Sequence, residues 1–194
     1  MGLFGKKMKQ EHKIMLQHDR AAGALLPEYH RATPECPEPG RWSMIDSMTA
    51  EVEVLEFIAT LVTTLKPRLV VETGSFLGVS TEWIARGLER NGPLAGGQFA
   101  KVVSCEYDPV VYEKARARIE ASPLSPWIEL RNQSSLEMKV DGTIDLFFSD
   151  SDMPVREAAL KMESEGLISV VLLPTPRGLV IAQPRAGRPA TRRS

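Results

Sequence analysis

Residues 70–85 read VVETGSFLGVSTEWIA and give the clearest indication of the fold class. It opens in the short apolar run Leu69–Val71, which is typical of a buried parallel strand. Gly74 then allows a sharp turn and lets a ligand lie against the backbone. Apolar residues at helical spacing follow, namely Val79, Trp83, Ile84 and Leu88. The stretch therefore predicts a strand, a tight loop, and a helix whose first N–H groups face that loop.

The rest of the chain repeats this alternation of strands and helices. We predict four strands at Arg68–Glu72, Val102–Cys105, Trp127–Leu130 and Ile144–Phe148. We predict helices from Thr49 as N-cap to Pro67, after Gly78, from the pair Asp108-Pro109 to about Glu120, and over residues 155–165. Leu167–Leu173 and Gly178–Ala182 are predicted to form a hairpin. The pattern predicts an α/β, Rossmann-like three-layer sandwich, with a mostly parallel sheet and a C-terminal antiparallel hairpin.

Three segments follow from this pattern. Residues 1–44 are expected to form an N-terminal helix and a proline-rich arm, residues 45–185 the α/β domain, and residues 186–194 a basic tail. Both ends of the chain are rich in Lys or Arg, and we interpret them as solvated ends rather than as a nucleic-acid contact. The net charge of -1 gives the whole chain no attraction for nucleic acid or anionic lipid.

Cysteine usage and hydropathy predict the compartment. The chain has two cysteines, Cys36 and Cys105, and no pattern that suggests a disulfide framework. No apolar stretch has the length of a membrane span, and the N-terminus has no apolar signal-peptide region. We therefore expect a cytoplasmic protein that does not enter a membrane.

Polar groups follow three of the predicted strands, where ligands bind in open α/β sheets. Glu72 leads into the loop of Gly74, Ser75 and Gly78; Glu106 ends the second strand; and Asp150 and Asp152 follow the apolar run IDLFFS. Glu106 can accept hydrogen bonds from both hydroxyls of a ribose. The two aspartates could position an acceptor, act as a base or hold a divalent cation. Each signal also has a plain structural interpretation, as a tight turn, a solvated acid or a polar strand end.

The order and spacing of these groups resemble the class I S-adenosylmethionine (SAM)-dependent methyltransferases. The stretches VVETGSFLGVSTEWIA and IDLFFSDSD look most like the small-molecule O-methyltransferase branch, which includes catechol-like enzymes. The resemblance implies SAM as the cofactor and a small-molecule methyl acceptor. It covers about residues 45–185.

The resemblance also implies roles for individual residues. Gly74, Ser75 and Gly78 would pass beneath the methionine part of SAM, with Ser80 in the same motif and Glu72 near the amino group. Glu106 would bind the ribose, Ser134 or Ser135 would lie by the adenine, and Asp150 would lie where the cofactor meets the acceptor. Asp150 and Asp152 are the predicted catalytic residues. The helix from Thr49 and the loop with Trp42, Ser43, Met44 and Ile45 would form a lid.

The chain departs from the family pattern after the fourth strand. One helix–strand unit is missing there, because a single helix and a hairpin follow Asp150. Metal-dependent relatives carry further ligands at the end of the absent strand, so we assign no metal-ligating residue here, and a divalent cation stays a weaker alternative beside SAM. The loss would expose one flank of the fourth strand unless the hairpin or a partner covers it. Dimerisation through that flank is one hypothesis.

The sequence leaves three hypotheses about the function of this protein. The leading hypothesis is a SAM-dependent methyltransferase that acts on a hydroxyl of a small molecule. The second is a catalytically inactive SAM-binding protein with a binding or assembly role, which the shortened C-terminal half favours. The third is a nicotinamide-nucleotide oxidoreductase. The glycines of the loop are four residues apart, which differs from the dinucleotide-binding fingerprint and disfavours this third hypothesis.

Overall fold

The structure is a computed structural model, and it describes residues 44, 48–149, 153–166, 168–173 and 179–184. The predicted N-terminal helix, most of the proline-rich arm and the basic tail lie outside the described residues. Met44, from the predicted lid, is described and is buried. Among the described helices, none is both long and apolar enough to cross a membrane.

The described chain contains six strands and four helices. In chain order they are α1 (Val52–Leu65), β1 (Leu69–Thr73), α2 (Val79–Arg90), β2 (Lys101–Glu106), α3 (Pro109–Glu120), β3 (Ile128–Asn132), β4 (Leu146–Ser149), α4 (Met153–Ser164), β5 (Ile168–Leu173) and β6 (Leu179–Pro184). Short 3₁₀ turns lie at Ser125–Trp127 and Ser135–Glu137. Each predicted strand and helix within the described residues is present, with ends shifted by a few residues.

The start of α1 differs from the prediction. Thr49 was expected to be the N-cap, but the cap is Glu51, whose backbone is still extended at φ -59° and ψ 143°. The first helical bond runs from the Leu55 N–H to the Glu51 carbonyl, at 3.0 Å. The helix ends as predicted before Pro67, with Lys66 in the left-handed conformation.

Asp108 caps α3 as the sequence predicts. Its carboxylate accepts hydrogen bonds from the N–H groups of Val110 and Val111, at 2.8 and 3.0 Å. Pro109 occupies the first turn, where its missing N–H costs no helical bond. The cap begins α3 immediately after the end of β2, so the residues between them stay at the edge of the sheet.

The six strands form one sheet in the order β3-β2-β1-β4-β6-β5. The pairs β1–β2, β2–β3 and β1–β4 are parallel, while β6 is antiparallel to both β4 and β5. This confirms the mostly parallel sheet with a C-terminal hairpin. The chain passes from β4 through α4 directly into that hairpin, as expected from the missing helix–strand unit.

The hairpin covers the free flank of β4. Phe147, Phe148 and Ser149 of β4 pair with Ala182, Ile181 and Val180 of β6. Since β1 pairs with the other side of β4, both edges of this strand are occupied. The structure therefore removes the reason for proposing dimerisation through the β4 flank.

The core lies between the sheet and its helices. Trp83, Ile84 and Leu88 of α2 are buried in it, as their helical spacing predicts. Helix α1 packs on α2 through Ile58, Ala59 and Val62. Ala59 and Val62 lie beside Gly87, close to the end of α2. The loop before α2 is one wall of the candidate site.

Candidate cofactor site at the carboxyl ends of the strands

The carboxyl ends of β1, β2 and β3 meet at one edge of the sheet. The parallel register pairs Thr73 with Cys105 and Glu106 with Asn132. The chain leaves all three strands at this edge. The predicted loop of Gly74 and the predicted ribose-binding Glu106 therefore come together in space.

Backbone hydrogen bonds hold the loop after β1 against β2. The N–H groups of Gly74 and Ser75 both donate to the Cys105 carbonyl, at 3.1 Å each. Gly74 has a φ of 83° and Gly78 a φ of 79°, conformations that favour glycine. A Cβ atom on Gly78 would also lie 3.3 Å from Cδ1 of Ile119. The glycines thus allow the tight loop and the close approach of α3.

Glu106 is anchored by the loop it faces. Its Oε2 accepts a hydrogen bond from the Phe76 N–H, and its Oε1 accepts one from the Asp108 N–H, both at 2.9 Å. The side chain is half-buried, so it is not the freely solvated acid of the alternative interpretation. Each carboxylate oxygen has more than one lone pair, so both can accept a further donor. The positioned carboxylate can therefore bind a pair of hydroxyl groups.

Glu72 lies beneath the loop rather than on its surface. Its side chain is fully buried, and its Oε2 accepts hydrogen bonds from Thr81 Oγ1 at 2.5 Å and from Ser104 Oγ at 2.6 Å. Burial raises the pKa of Glu72, and the hydroxyls of Ser104, Ser80 and Thr81 lower the pKa by less than that. Its Oε1 accepts no hydrogen bond.

Two further buried polar atoms near this edge have no hydrogen-bond partner. They are Ser75 Oγ in the loop and Gln133 Nε2 just after β3. A buried polar group without a partner costs about 1–3 kcal/mol, so such atoms are rare in folded proteins. Together with Glu72 Oε1, these atoms could bind a polar ligand.

Ser134 and Ser135 follow β3, close to Glu106. The Gln133 N–H donates to the Glu106 carbonyl at 3.1 Å, which holds this segment against the end of β2. Ser134 caps the following 3₁₀ turn, with its Oγ accepting from the Leu136 N–H at 3.3 Å. Ser134 thus has a structural role, and it lies at the edge where the adenine was expected.

Two apolar side chains at this edge were missed by the sequence analysis. Tyr107 is 77% exposed and follows Glu106, and Leu136 is 85% exposed and follows Ser135. Both side chains are exposed at the edge that carries Glu106, so they could line a ligand bound there. The sequence did contain one indication of this surface, because the aromatic Tyr107 directly follows the strand-end acid Glu106.

The fourth strand reaches the same edge. Ser149 at its end is buried, and its Oγ accepts a hydrogen bond from Thr73 Oγ1 at 3.1 Å. Asp150 and Asp152, the predicted catalytic residues, lie outside the described residues. Within the described part of the chain, no group of three or more His, Cys, Asp or Glu is arranged to hold a metal ion.

Comparisons with known proteins identify the class. Residues 71–165 match a family model described as a methyltransferase domain. The chain is 27% identical over 105 residues to a catechol O-methyltransferase of Niastella koreensis, covering 51% of this chain and 44% of the relative. It is 30% identical over 123 residues to a catechol O-methyltransferase of Mycobacterium tuberculosis, covering 60% of this chain and 52% of the relative. The chain thus spans about half the length of the curated relatives it matches.

Solved structures share the fold. An O-methyltransferase from Bacillus cereus in complex with SAH (S-adenosylhomocysteine) aligns with a TM-score of 0.52 at 19% identity, over 89% of this chain and 90% of that chain. An O-methyltransferase from Streptomyces achromogenes in complex with SAM aligns with a TM-score of 0.54 at 13% identity, over 72% and 83%. The sheet, the loop and these matches define a class I SAM-dependent methyltransferase-like protein. Within that class the chain is O-methyltransferase-like, and its curated relatives are catechol O-methyltransferases.

Proposed function

We propose that this protein binds SAM at the edge formed by Gly74–Gly78, Glu106 and residues 133–136, and transfers its methyl group to a hydroxyl of a small molecule. One observation carries the proposal. The carboxylate of Glu106 is fixed by two backbone N–H groups, one of which belongs to the loop after β1. Nucleotide-type cofactors need such a strand-end acid for the ribose, next to a glycine loop for the rest of the molecule.

The residues present fit this cofactor. Glu106 would accept hydrogen bonds from the ribose hydroxyls, and Tyr107 and Leu136 would provide apolar surface for the adenine. We assign Ser75 Oγ and Glu72 Oε1, which have no hydrogen-bond partner, to the polar methionine part of the cofactor. A ligand with ammonium and carboxylate groups would offer hydrogen-bond partners to both atoms.

The proposed reaction depends on positioning. When bound, SAM supplies a methyl group on a cationic sulphur, which an acceptor oxygen can attack in line. The loop and Glu106 would hold the donor, and Asp150 or Asp152 would orient the acceptor hydroxyl and accept its proton. Because the curated relatives are catechol O-methyltransferases, catechols are the acceptors to try first. Cys105 is a free, buried thiol, which supports the further proposal of a cytoplasmic location.

The cofactor proposal is tested by calorimetric titration with SAM. We expect Glu106→Gln to weaken binding by about tenfold or more, because one of two charge-assisted hydrogen bonds is lost. Glu113→Gln, on the exposed face of α3, is the matched control and should bind like the wild type. Failure of the folded wild-type protein to bind SAM would refute the proposal, and equal affinity of the Glu106 variant would remove Glu106 from the site.

The catalytic proposal is tested by following methylated product from a catechol. We expect Asp150→Ala to lower kcat strongly while the affinity for SAM changes little, since the residue would act on the acceptor. Asp141→Ala, in an exposed loop before β4, is the control. Equal turnover by the Asp150 variant would exclude Asp150 from the mechanism.

A second candidate function is SAM binding without catalysis. The direct pairing of β4 with β6 supports it, because among the described strands no further parallel strand carries polar groups to this part of the edge. Tight SAM binding without methylated product from a broad acceptor panel would favour this candidate.

A further inference from the structure

The outward surface of α1 is apolar, although a helix on the outside of a domain normally carries charges there. Residues 57–65 read FIATLVTTL and contain no charged side chain. Phe57, Leu61 and Leu65 are four residues apart and therefore form a row along the helix. Phe57 is 43% exposed and Leu65 is 46% exposed, with Leu61 half-buried between them. Single exposed apolar residues are ordinary, but an uninterrupted row without charges is typical of a surface that packs on another segment.

The threonines beside this row add little polarity. Thr60 Oγ1 donates to the Glu56 carbonyl at 2.9 Å, and Thr64 Oγ1 donates to the Thr60 carbonyl at 2.8 Å. The hydroxyl protons are thus used within the helix, and only the oxygen lone pairs remain for water. We call the row and these two threonines the outer face of α1.

Residues 1–26 of the same chain have a pattern that could cover the outer face of α1. Their apolar residues Phe4, Met8 and Met15 are four and seven residues apart, a spacing that places them on one side of a helix. Three lysines at three- and four-residue spacing fall on the opposite side, namely Lys6, Lys9 and Lys13. The segment therefore has one apolar side for packing and one charged side for solvent.

The charges of the two segments are complementary. Residues 1–26 contain five Lys or Arg and two acidic residues. Helix α1 contains Glu53 and Glu56 and no basic residue. Opposite net charges favour the approach of the two segments and suppress wrong partners.

The chain is long enough to bring this segment to α1. Met44 is buried and lies eight residues before the start of α1 at Val52, and residues 49–51 directly before the helix are buried as well. The helix has 14 residues and is about 21 Å long. Residues 27–43 span up to about 56 Å when extended, so they can connect Met44 to a segment lying anywhere along α1.

The size of the outer face favours an occupant from the same chain over a second copy. A helix face about 20 Å long and about 10 Å wide offers roughly 200 Å². A stable interface between two proteins buries about 800 Å² on each partner. A tethered segment needs less contact, because the linker gives it an effective concentration in the millimolar range.

We propose that residues 1–26 pack as an amphipathic helix along the outer face of α1, with Phe4, Met8 and Met15 against the row of Phe57 and Leu65. This contact extends the hydrophobic core beyond α1 and leaves the lysines of the segment in solvent. The proposal is independent of the proposed function, because it involves neither SAM nor the edge of the sheet that would bind it.

The test is hydrogen exchange of the full chain, followed peptide by peptide by mass spectrometry. We expect the amides of residues 1–26 to exchange at least about tenfold more slowly than those of an unstructured peptide, since a docked helix must open first. The double variant Phe57→Lys/Leu65→Lys should abolish this protection, because it places two charges in the contact. Leu160→Lys/Met162→Lys is the matched control on α4, at positions 39% and 42% exposed, and should leave the protection unchanged.

Light scattering of the same proteins completes the test. A monomer whose protection is lost only in the α1 variant would support the proposal. Unprotected amides in residues 1–26 of the wild type, or unchanged protection in the α1 variant, would overturn it. A dimer that the α1 substitutions dissociate would identify a second copy as the occupant and would also overturn it.

A second variant covers the case in which the α1 variant fails to fold. Met8→Lys/Met15→Lys changes only the segment and leaves every residue of α1 in place. We expect it to bind more of the apolar dye ANS than the wild type, because the outer face of α1 becomes uncovered. Equal dye fluorescence of this folded variant and the wild type would contradict the proposal.

Discussion

Two glutamates at neighbouring strand ends have different properties because their surroundings differ. Glu106 is half-buried and accepts hydrogen bonds from two backbone N–H groups, whereas Glu72 is fully buried among hydroxyl groups and its Oε1 accepts no hydrogen bond. The first is arranged to bind a ligand from outside. The burial of Glu72 makes its ionised form energetically costly.

Glu72 should make the stability of the free protein depend on pH. Its pKa is raised on folding, so its contribution is fully present below the unfolded-state pKa and is lost as pH rises through the folded-state pKa. The loss amounts to about 1.4 kcal/mol for each unit by which the pKa is raised. Glu72→Gln should remove this decline, so urea denaturation without SAM should give a flatter pH profile above the ordinary glutamate pKa of 4.5. If the free energy of unfolding of the wild type and of Glu72→Gln changed equally with pH, Glu72 would not cause the decline.

At the scale of elements, the contact between α1 and α2 depends on Gly87. Glycine in a helix interior costs about 1 kcal/mol relative to alanine, so propensity alone would favour a replacement. In the structure, a Cβ atom at Gly87 would lie 2.7 Å from the Ala59 carbonyl oxygen and 2.7 Å from the Val62 Cβ. The close approach of the two helices therefore requires glycine at this position.

Gly87→Ala should destabilise the protein despite its better helix propensity. Overpacking of this kind costs typically about 1–3 kcal/mol, because backbone and a β-branched side chain must move. Glu89→Ala, on the exposed side of the same helix, should change the free energy of unfolding by no more than about 0.5 kcal/mol. Chemical denaturation followed by circular dichroism measures both, and a stabilised Gly87 variant would show that the two helices can separate at little cost.

At the scale of the whole molecule, the hairpin completes the sheet. Ile181 of β6 is 8% exposed, lies opposite Phe148 in β4, and belongs to the same core as the helices. The hairpin is thus part of the single hydrophobic core and not an appendage. This explains how a sheet without the usual fifth parallel strand leaves no open edge at β4.

Ile181→Ala should therefore lower the stability of the entire domain. Truncation of a buried Ile costs about 2–5 kcal/mol through lost burial and the cavity that remains. Because the hairpin shares the core, tryptophan fluorescence and far-UV circular dichroism should shift together in one transition. Leu160→Ala, at a 39% exposed position of α4, is the control and should have a much smaller effect. Separate transitions for the two probes would show that the hairpin unfolds on its own.

Features that depend on short-range patterns could be predicted from the residues alone. The apolar runs and helical spacings predicted every described strand and helix, and the pair Asp108-Pro109 predicted the start of α3. The glycine loop and the acid at the end of β2 were assigned to one site because parallel strands bring their carboxyl ends together. Each of these predictions uses residues close in the chain, or a rule of sheet topology.

Features that depend on residues distant in the chain could be seen only in the folded protein. The burial of Glu72 follows from Ser104, 32 residues away, and the anchoring of Glu106 follows from Phe76, 30 residues away. Asp145 fixes the start of β1 by accepting the Arg68 N–H across 77 residues, which no local pattern signals. Likewise, the sequence does not show which strand pairs with β4, and in the structure that strand is β6. Pairings, burial and the pKa shifts that follow from burial depend on which segments meet in space, and local periodicity carries no information on that.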